Sequence, residues 1–154
     1  DQQAIWEGIL DGTISIVSSD HAPHTAEEKE GDLWSIPAGM CGVETIVPLM
    51  LNAVSENRLT IHQVVSLLSE NPAKQFGIYP RKGALQVGSD ADITIVDMNR
   101  RYTINREKLH SKGKVTAYHG FKIKGMPVQT IVHGVTVMKD GEIISPPIGK
   151  LVTP

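Results

Sequence analysis

The chain reads as an α/β protein in two parts, and three observations carry that reading. Up to Gly77, apolar residues recur at helical spacing around a single β-branched run. Beyond Gly77 the pattern turns to short alternating stretches punctuated by glycine, as strands and hairpins require. The whole, 154 residues with 40% hydrophobic residues and a net charge of −2, has the composition of an ordinary globular domain. The division is placed at residues 1–76 and 77–154.

Each element follows from its residues. Ile5, Trp6, Ile9 and Leu10 predict an amphipathic helix that ends at the Asp11-Gly12 turn signal. Thr13-Ile14-Ser15-Ile16-Val17-Ser18-Ser19 predicts a strand, being short and rich in β-branched residues. Residues 25–42 contain Pro37, Gly39 and Gly42 and predict a long loop. Val43, Ile46, Val47, Met50 and Val54 predict a helix over 43–57, with Pro48 delaying or bending its first turn. Thr60-Ile61-His62-Gln63 has the form of a capping box and opens a helix through Leu68. Asn71-Pro72 reads as an N-cap with proline at the first helical position of a short helix closed by Gly77. Strands are expected over 91–97, 128–133 and 135–138, with Asp140-Gly141 turning a hairpin into Ile143-Ile144. Apart from Trp34, placed at the pocket mouth or packed on its loop, the Met and aromatic residues are expected in the core.

Composition also excludes function classes. The near-neutral balance gives no electrostatic reason to expect a nucleic acid or an anionic membrane as partner. No apolar run approaches the roughly 20 residues of a spanning helix, and the acidic start lacks the features of a secretory signal. Cys41 is the only cysteine, so no internal disulfide forms and a reducing, cytoplasmic setting is expected. Because the sequence opens inside a helical pattern, a portion of a longer protein is the expectation.

The chemistry concentrates in Asp20-His21-Ala22-Pro23-His24, where a carboxylate and two imidazoles follow directly on the expected strand. In a β/α barrel, catalytic groups project from the C-terminal ends of strands. An Asp placed there can ligate a metal through one oxygen and move a proton with the other, which suits amide hydrolysis. His62, His110, His119 and His133 show no ligand-like spacing and read as surface or packing residues. Cys41 has no matched base beside it and reads as incidental.

Ser19-Asp20-His21-Ala22-Pro23-His24-Thr25, with Glu27-Glu28-Lys29, resembles the segment after the eighth strand of dihydroorotases, in the metal-dependent amidohydrolase superfamily. The resemblance continues in order through Pro37-Ala38-Gly39, Gly42-Val43-Glu44-Thr45, Ser69-Glu70-Asn71-Pro72-Ala73-Lys74, Gly88-Ser89-Asp90-Ala91-Asp92-Ile93, Leu109-His110-Ser111-Lys112 and Gly120 to Gly134. It implies the C-terminal part of a (β/α)8 TIM-type barrel, its last strand and helices, followed by strands of a small β-sandwich. It implies Asp20 as single-carboxylate metal ligand and catalytic base, and His24, Ala38 and Gly39 as substrate contacts. His21 is by the same pattern a supporting residue.

The resemblance further implies zinc, one or two ions in a full enzyme, a cyclic amide substrate and a homo-oligomer. The superfamily's other ligands, the paired histidines after the first strand, the bridging lysine and two further histidines, have no matching segment here. A catalytic zinc normally needs about three protein ligands, so the chain alone is expected to be inactive. Dihydroorotate is the first choice of substrate. Allantoinase and hydantoinase or dihydropyrimidinase are the alternatives, because the Leu33-Trp34-Ser35-Ile36-Pro37-Ala38-Gly39 loop leans towards hydantoinases. A non-catalytic scaffold relative is the competing class.

Overall fold

A computed structural model describes residues 1–154. Helix α1 spans Gln2–Leu10, α2 Ile46–Ser55, α3 Ile61–Val65 and α4 Asn71–Gln75. Strands β1 (Ile93–Thr103), β2 (Lys122–Val132), β3 (Val135–Lys139) and β4 (Glu142–Ile143) form one antiparallel sheet in sequence order. Two tight turns make this meander. His133 and Gly134 join β2 to β3, and Asp140 and Gly141 join β3 to β4, all four with positive φ. Two successive positive φ values match the right-handed twist of the flanking strands.

The capping box forms as expected: Gln63 N donates to Thr60 Oγ1, and Thr60 N donates to Gln63 Oε1. Helix α2 starts at Ile46 rather than Val43, so Pro48 falls within its first turn, where a missing N–H is harmless. Its inner face joins Met50 and Ala53 to Leu59, Val64 and Leu67, with Trp6, Ile9 and Val17 packed around them. Arg58 lies 3.7 Å above the Trp6 ring and ties α1 to the end of α2.

Three expectations need correction. Residues 13–19 form no strand, because no neighbouring strand lies in this chain to complete a ladder. They are held instead by Ile14 N on Gly8 O and Val17 N on Leu67 O. Asn71 is not an N-cap. Its backbone is helical, and the chain runs from α3 into α4 through a π-turn over Ser66–Glu70. Asn71 Nδ2 instead donates to Ser15 O, at 2.8 Å. The aromatics placed in the core do not all enter it, since Phe76, Tyr79 and Phe121 are exposed; Trp34, set apart from them, is 91% exposed.

The π-turn has a physical consequence. Asn71 N bonds Ser66 O in the wide register, so the next donor in sequence would reach Leu67 O. That residue is Pro72, which has no N–H. Leu67 O is therefore left for Val17 N, and the segment leading to Asp20 is fastened there.

The sheet meets the helices through α2. Lys124 N donates to Asn52 Oδ1, Ser55 Oγ donates to Lys124 O, and a Cβ at Gly125 would sit 2.9 Å from Leu51 Cβ. At the sheet's entry, Lys82 pairs with Asp92 and with Asp90 at 2.9 Å, while Asp92 also accepts from His133 N. Burial alone would raise the Asp92 carboxyl, but the Lys82 ammonium and the His133 N–H hold it below its ordinary value. No helix is long and apolar enough to cross a membrane.

Candidate active-site segment and the loops that frame it

Asp20 follows residues 13–19 with φ +42°, a left-handed conformation that Asp tolerates better than most residues. It is exposed. Its carboxylate accepts no hydrogen bond from the rest of the chain and is free to ligate or to take a proton. Directly after it, His21 pairs with Met40 in an isolated parallel bridge, and Ala22 N donates to Met40 O. His21 Nδ1 accepts from Gly42 N at 3.1 Å and Val43 N at 3.3 Å, which places the ring proton on Nε2. Both interactions brace the loop after Met40, so His21 has the supporting place expected of it.

His24 is half-buried, and its Nδ1 lies 3.3 Å from Glu28 Oε2. Glu28 Oε2 also accepts from Thr25 N, and Glu28 N donates back to Thr25 Oγ1, a reciprocal pair around the turn Glu27–Lys29. The Thr25 N–H, joined by the His24 ring, holds the Glu28 carboxyl below the usual carboxylate range. His24 is thus oriented from its own turn.

The loop bearing Ala38 and Gly39 folds back onto this segment. A Cβ at Gly39 would stand 2.5 Å from Ala22 Cβ, and Gly39 has φ +96°, so only glycine fits on both counts. Ala38 and Gly39 are exposed. Lys29 reaches across the loop, with Nζ donating to Pro37 O and, at 2.6 Å, to Gly39 O. The four predicted residues are therefore carried by two segments joined at Ala22, His21 and Met40.

A third segment closes the arrangement from behind. Cys41 N donates to Val115 O and Cys41 Sγ to Gly113 O, at 2.8 and 3.0 Å. Gly113 lies so close to the site that a Cβ there would be 2.3 Å from His24 O. Glu44 accepts from His110 N, His110 Nδ1 and Ser111 N, all at 3.0 Å or less. Partial burial works to raise the Glu44 carboxyl, yet these donors hold it below its ordinary value. Residues 109–117 thus form a strap across the loop after Met40.

Sequence reasoning gave no role to Lys29, Glu44, Cys41 or Gly113. For Lys29 a local signal existed, in the Thr25–Glu28 pair that sets the turn presenting it. For Glu44 and Gly113 there was none, because their partners lie 66 or more residues away. An apolar groove between α2 and the sheet, lined in part by Val47, Pro48, Leu109, Met126 and Val137, contains none of the four predicted residues.

As a metal site the chain is partial. Asp20 fits as one ligand, being an unengaged and exposed carboxylate. No group of three His, Cys, Asp or Glu residues converges to hold an ion. The Asp20 carboxylate could offer one oxygen to a metal, and the other ligands of such a site are not among these residues.

Comparison with known proteins places this geometry. The Amidohydrolase family model matches residues 1–137. A dihydroorotase of Pyrococcus furiosus is 42% identical over 152 residues, covering 99% of this chain and 35% of that protein. An L-hydantoinase of Paenarthrobacter aurescens is 40% identical over 144 residues, covering 91% and 31%. Among solved structures, a D-hydantoinase (dihydropyrimidinase) from Thermus sp. superposes with a TM-score of 0.89 at 35% identity, covering 95% of this chain and 33% of that one. The chain thus spans about a third of the length of the relatives it matches. With the family model matching most of its length and relatives above 40% identity, this chain belongs to the amidohydrolase family.

Proposed function

We propose that this chain forms the C-terminal part of a zinc-dependent cyclic-amide hydrolase, with residues 1–76 as the last portion of a (β/α)8 barrel and 77–154 as strands of a flanking β-sandwich. The observation that carries the reading is Asp20, a carboxylate with no hydrogen bond within the chain, set where two loops meet. Bound zinc would lower the pKa of water and polarise the ring carbonyl. Asp20 would supply one oxygen to that metal and would take the proton of the attacking water, to be returned to the leaving ring nitrogen as the amide opens. His24 binds the substrate's carboxylate, and the backbone of Ala38 and Gly39 meets the ring. The remaining metal ligands come from outside residues 1–154, so the 154-residue chain assayed alone with zinc turns over nothing.

The favoured substrate is dihydroorotate, interconverted with N-carbamoyl-aspartate. His24 supports it, since an imidazole is a ready partner for the anionic group that distinguishes dihydroorotate from neutral cyclic amides. A hydantoinase or dihydropyrimidinase reading is the second choice. It is favoured by the small Ala38 in the loop and by the hydantoinases among the structural relatives. Turnover of dihydroorotate, allantoin and dihydrouracil by the full-length enzyme separates the two. Dihydroorotate should dominate, and equal or faster turnover of dihydrouracil would overturn the first choice. The enzyme is read as a cytoplasmic homo-oligomer.

A further inference from the structure

We propose that Lys29 is a positioning residue that sets the orientation of the Ala38 N–H toward the substrate; this rests on the reading of Ala38 and Gly39 as the ring-binding backbone. Lys29 Nζ donates to two carbonyls of one short stretch, Pro37 O and Gly39 O. In a planar trans peptide the C=O and the following N–H point in opposite directions. Holding Pro37 O towards Lys29 therefore turns the Ala38 N–H away from it, and holding Gly39 O does the same for Met40 N–H. The peptide between Ala38 and Gly39 is left suspended between two fixed planes. Neither Ala38 N, Ala38 O nor Gly39 N makes a hydrogen bond within the chain. Ala38 thus offers one donor and one acceptor, and the CO–NH edge of a cyclic amide offers their complement; the Gly39 N–H points the other way from Ala38 O.

Both ends of this stretch are anchored independently of Lys29. Ser35 N and Ile36 N bond Asp32 O before it, and Met40 O takes Ala22 N after it. Gly39 sits in a left-handed conformation against Ala22, where a glycine backbone turns freely. Removing the ammonium thus frees the two intervening peptide planes without releasing the loop. A residue that merely stabilised the loop would change its melting temperature and leave substrate affinity alone. A positioning residue does the reverse.

The test compares Lys29→Met and Lys29→Arg in the full-length enzyme, with crystal structures of both as a readout independent of turnover. Lys29→Met should raise KM about tenfold, the worth of one well-placed hydrogen bond, with kcat changed less than about threefold. In its structure the Pro37–Ala38 or Gly39–Met40 peptide plane should be turned from the parent orientation. Lys29→Arg, which keeps two donors for the two carbonyls, should restore most of the KM and both planes. A KM within about twofold of the parent, or peptide planes left as in the parent, overturns the proposal. If the parent enzyme opens no cyclic amide, the functional reading fails instead, and the peptide planes of Lys29→Met alone decide whether Lys29 holds them.

Discussion

Replacing Gly113 by alanine asks whether the strap over residues 109–117 holds the site together or merely touches it. The added methyl would lie 2.3 Å from His24 O and 2.9 Å from Pro23 C and O, all backbone atoms that cannot swing aside as a flexible side chain could. Reaching ordinary contact requires the two segments to part by about 1 Å. That movement breaks the bonds from Cys41 Sγ to Gly113 O and from Cys41 N to Val115 O, at roughly 1 kcal/mol each. Added to an overpacking cost of about 1–3 kcal/mol, the loss comes to roughly 3–5 kcal/mol. Urea unfolding of the intact protein measures it, through the shift in midpoint at constant slope. Gly149→Ala is the control, because nothing lies within 4 Å of that position and it should move stability by less than about 0.5 kcal/mol. If Gly113→Ala behaves like the control, the close approach of the strap to His24 is refuted.

Three further outcomes are expected. Asp20→Asn keeps a residue type that tolerates φ +42°, so the fold should persist while turnover by the full-length enzyme falls by about 100-fold or more; retained turnover would remove Asp20 from the chemistry. Glu44 has a folded-state pKa below its unfolded value, so its contribution is fully present above about pH 4.5 and fades as pH falls through the lower folded value. Glu44→Gln should therefore flatten the acid limb of stability against pH and cost about 1–3 kcal/mol near neutrality, by impairing the acceptor for three donors; circular dichroism melts from pH 3 to 7 read both. Lys82→Met strips the cation from Asp90 and Asp92 and should lower stability by about 1–2 kcal/mol. Asp92→Asn in the same background should then cost less than it does alone, and a double-mutant cycle with no coupling would argue against the cluster.

Local chemistry was legible in the sequence where one turn contains all its partners. Thr60 and Gln63 form both bonds of the capping box, and Asp140-Gly141 makes its hairpin. Asp20, His24, Ala38 and Gly39 were proposed from pattern alone, and the two segments bearing them meet at Ala22, His21 and Met40. What was hidden depended on distant partners. Thr13 to Ser19 has strand composition, but a strand needs a neighbour, and composition does not say where one is. Asn71-Pro72 has the local form of a helix start, yet the preceding turn widened and carried the helix through it. Glu44 and His110 each look like ordinary surface residues until the fold brings them to 2.8 Å.

The strap also has a bearing on how the molecule is made. Cys41 meets Gly113 across 72 residues of chain, with α2, α3, α4 and β1 lying between them in sequence. On the ribosome, Asp20 and the loop to Gly42 emerge long before residues 109–117 exist to brace them. The hairpin of β3 and β4 is not needed for that bracing, because the strap precedes β2. The segment bearing Asp20 and His24 must therefore wait, incompletely restrained, while some 70 more residues are synthesised, a few seconds at ordinary elongation rates. During that interval the Asp20 carboxylate rides on a loop not yet in its final place, and its final setting should follow strap closure rather than precede it.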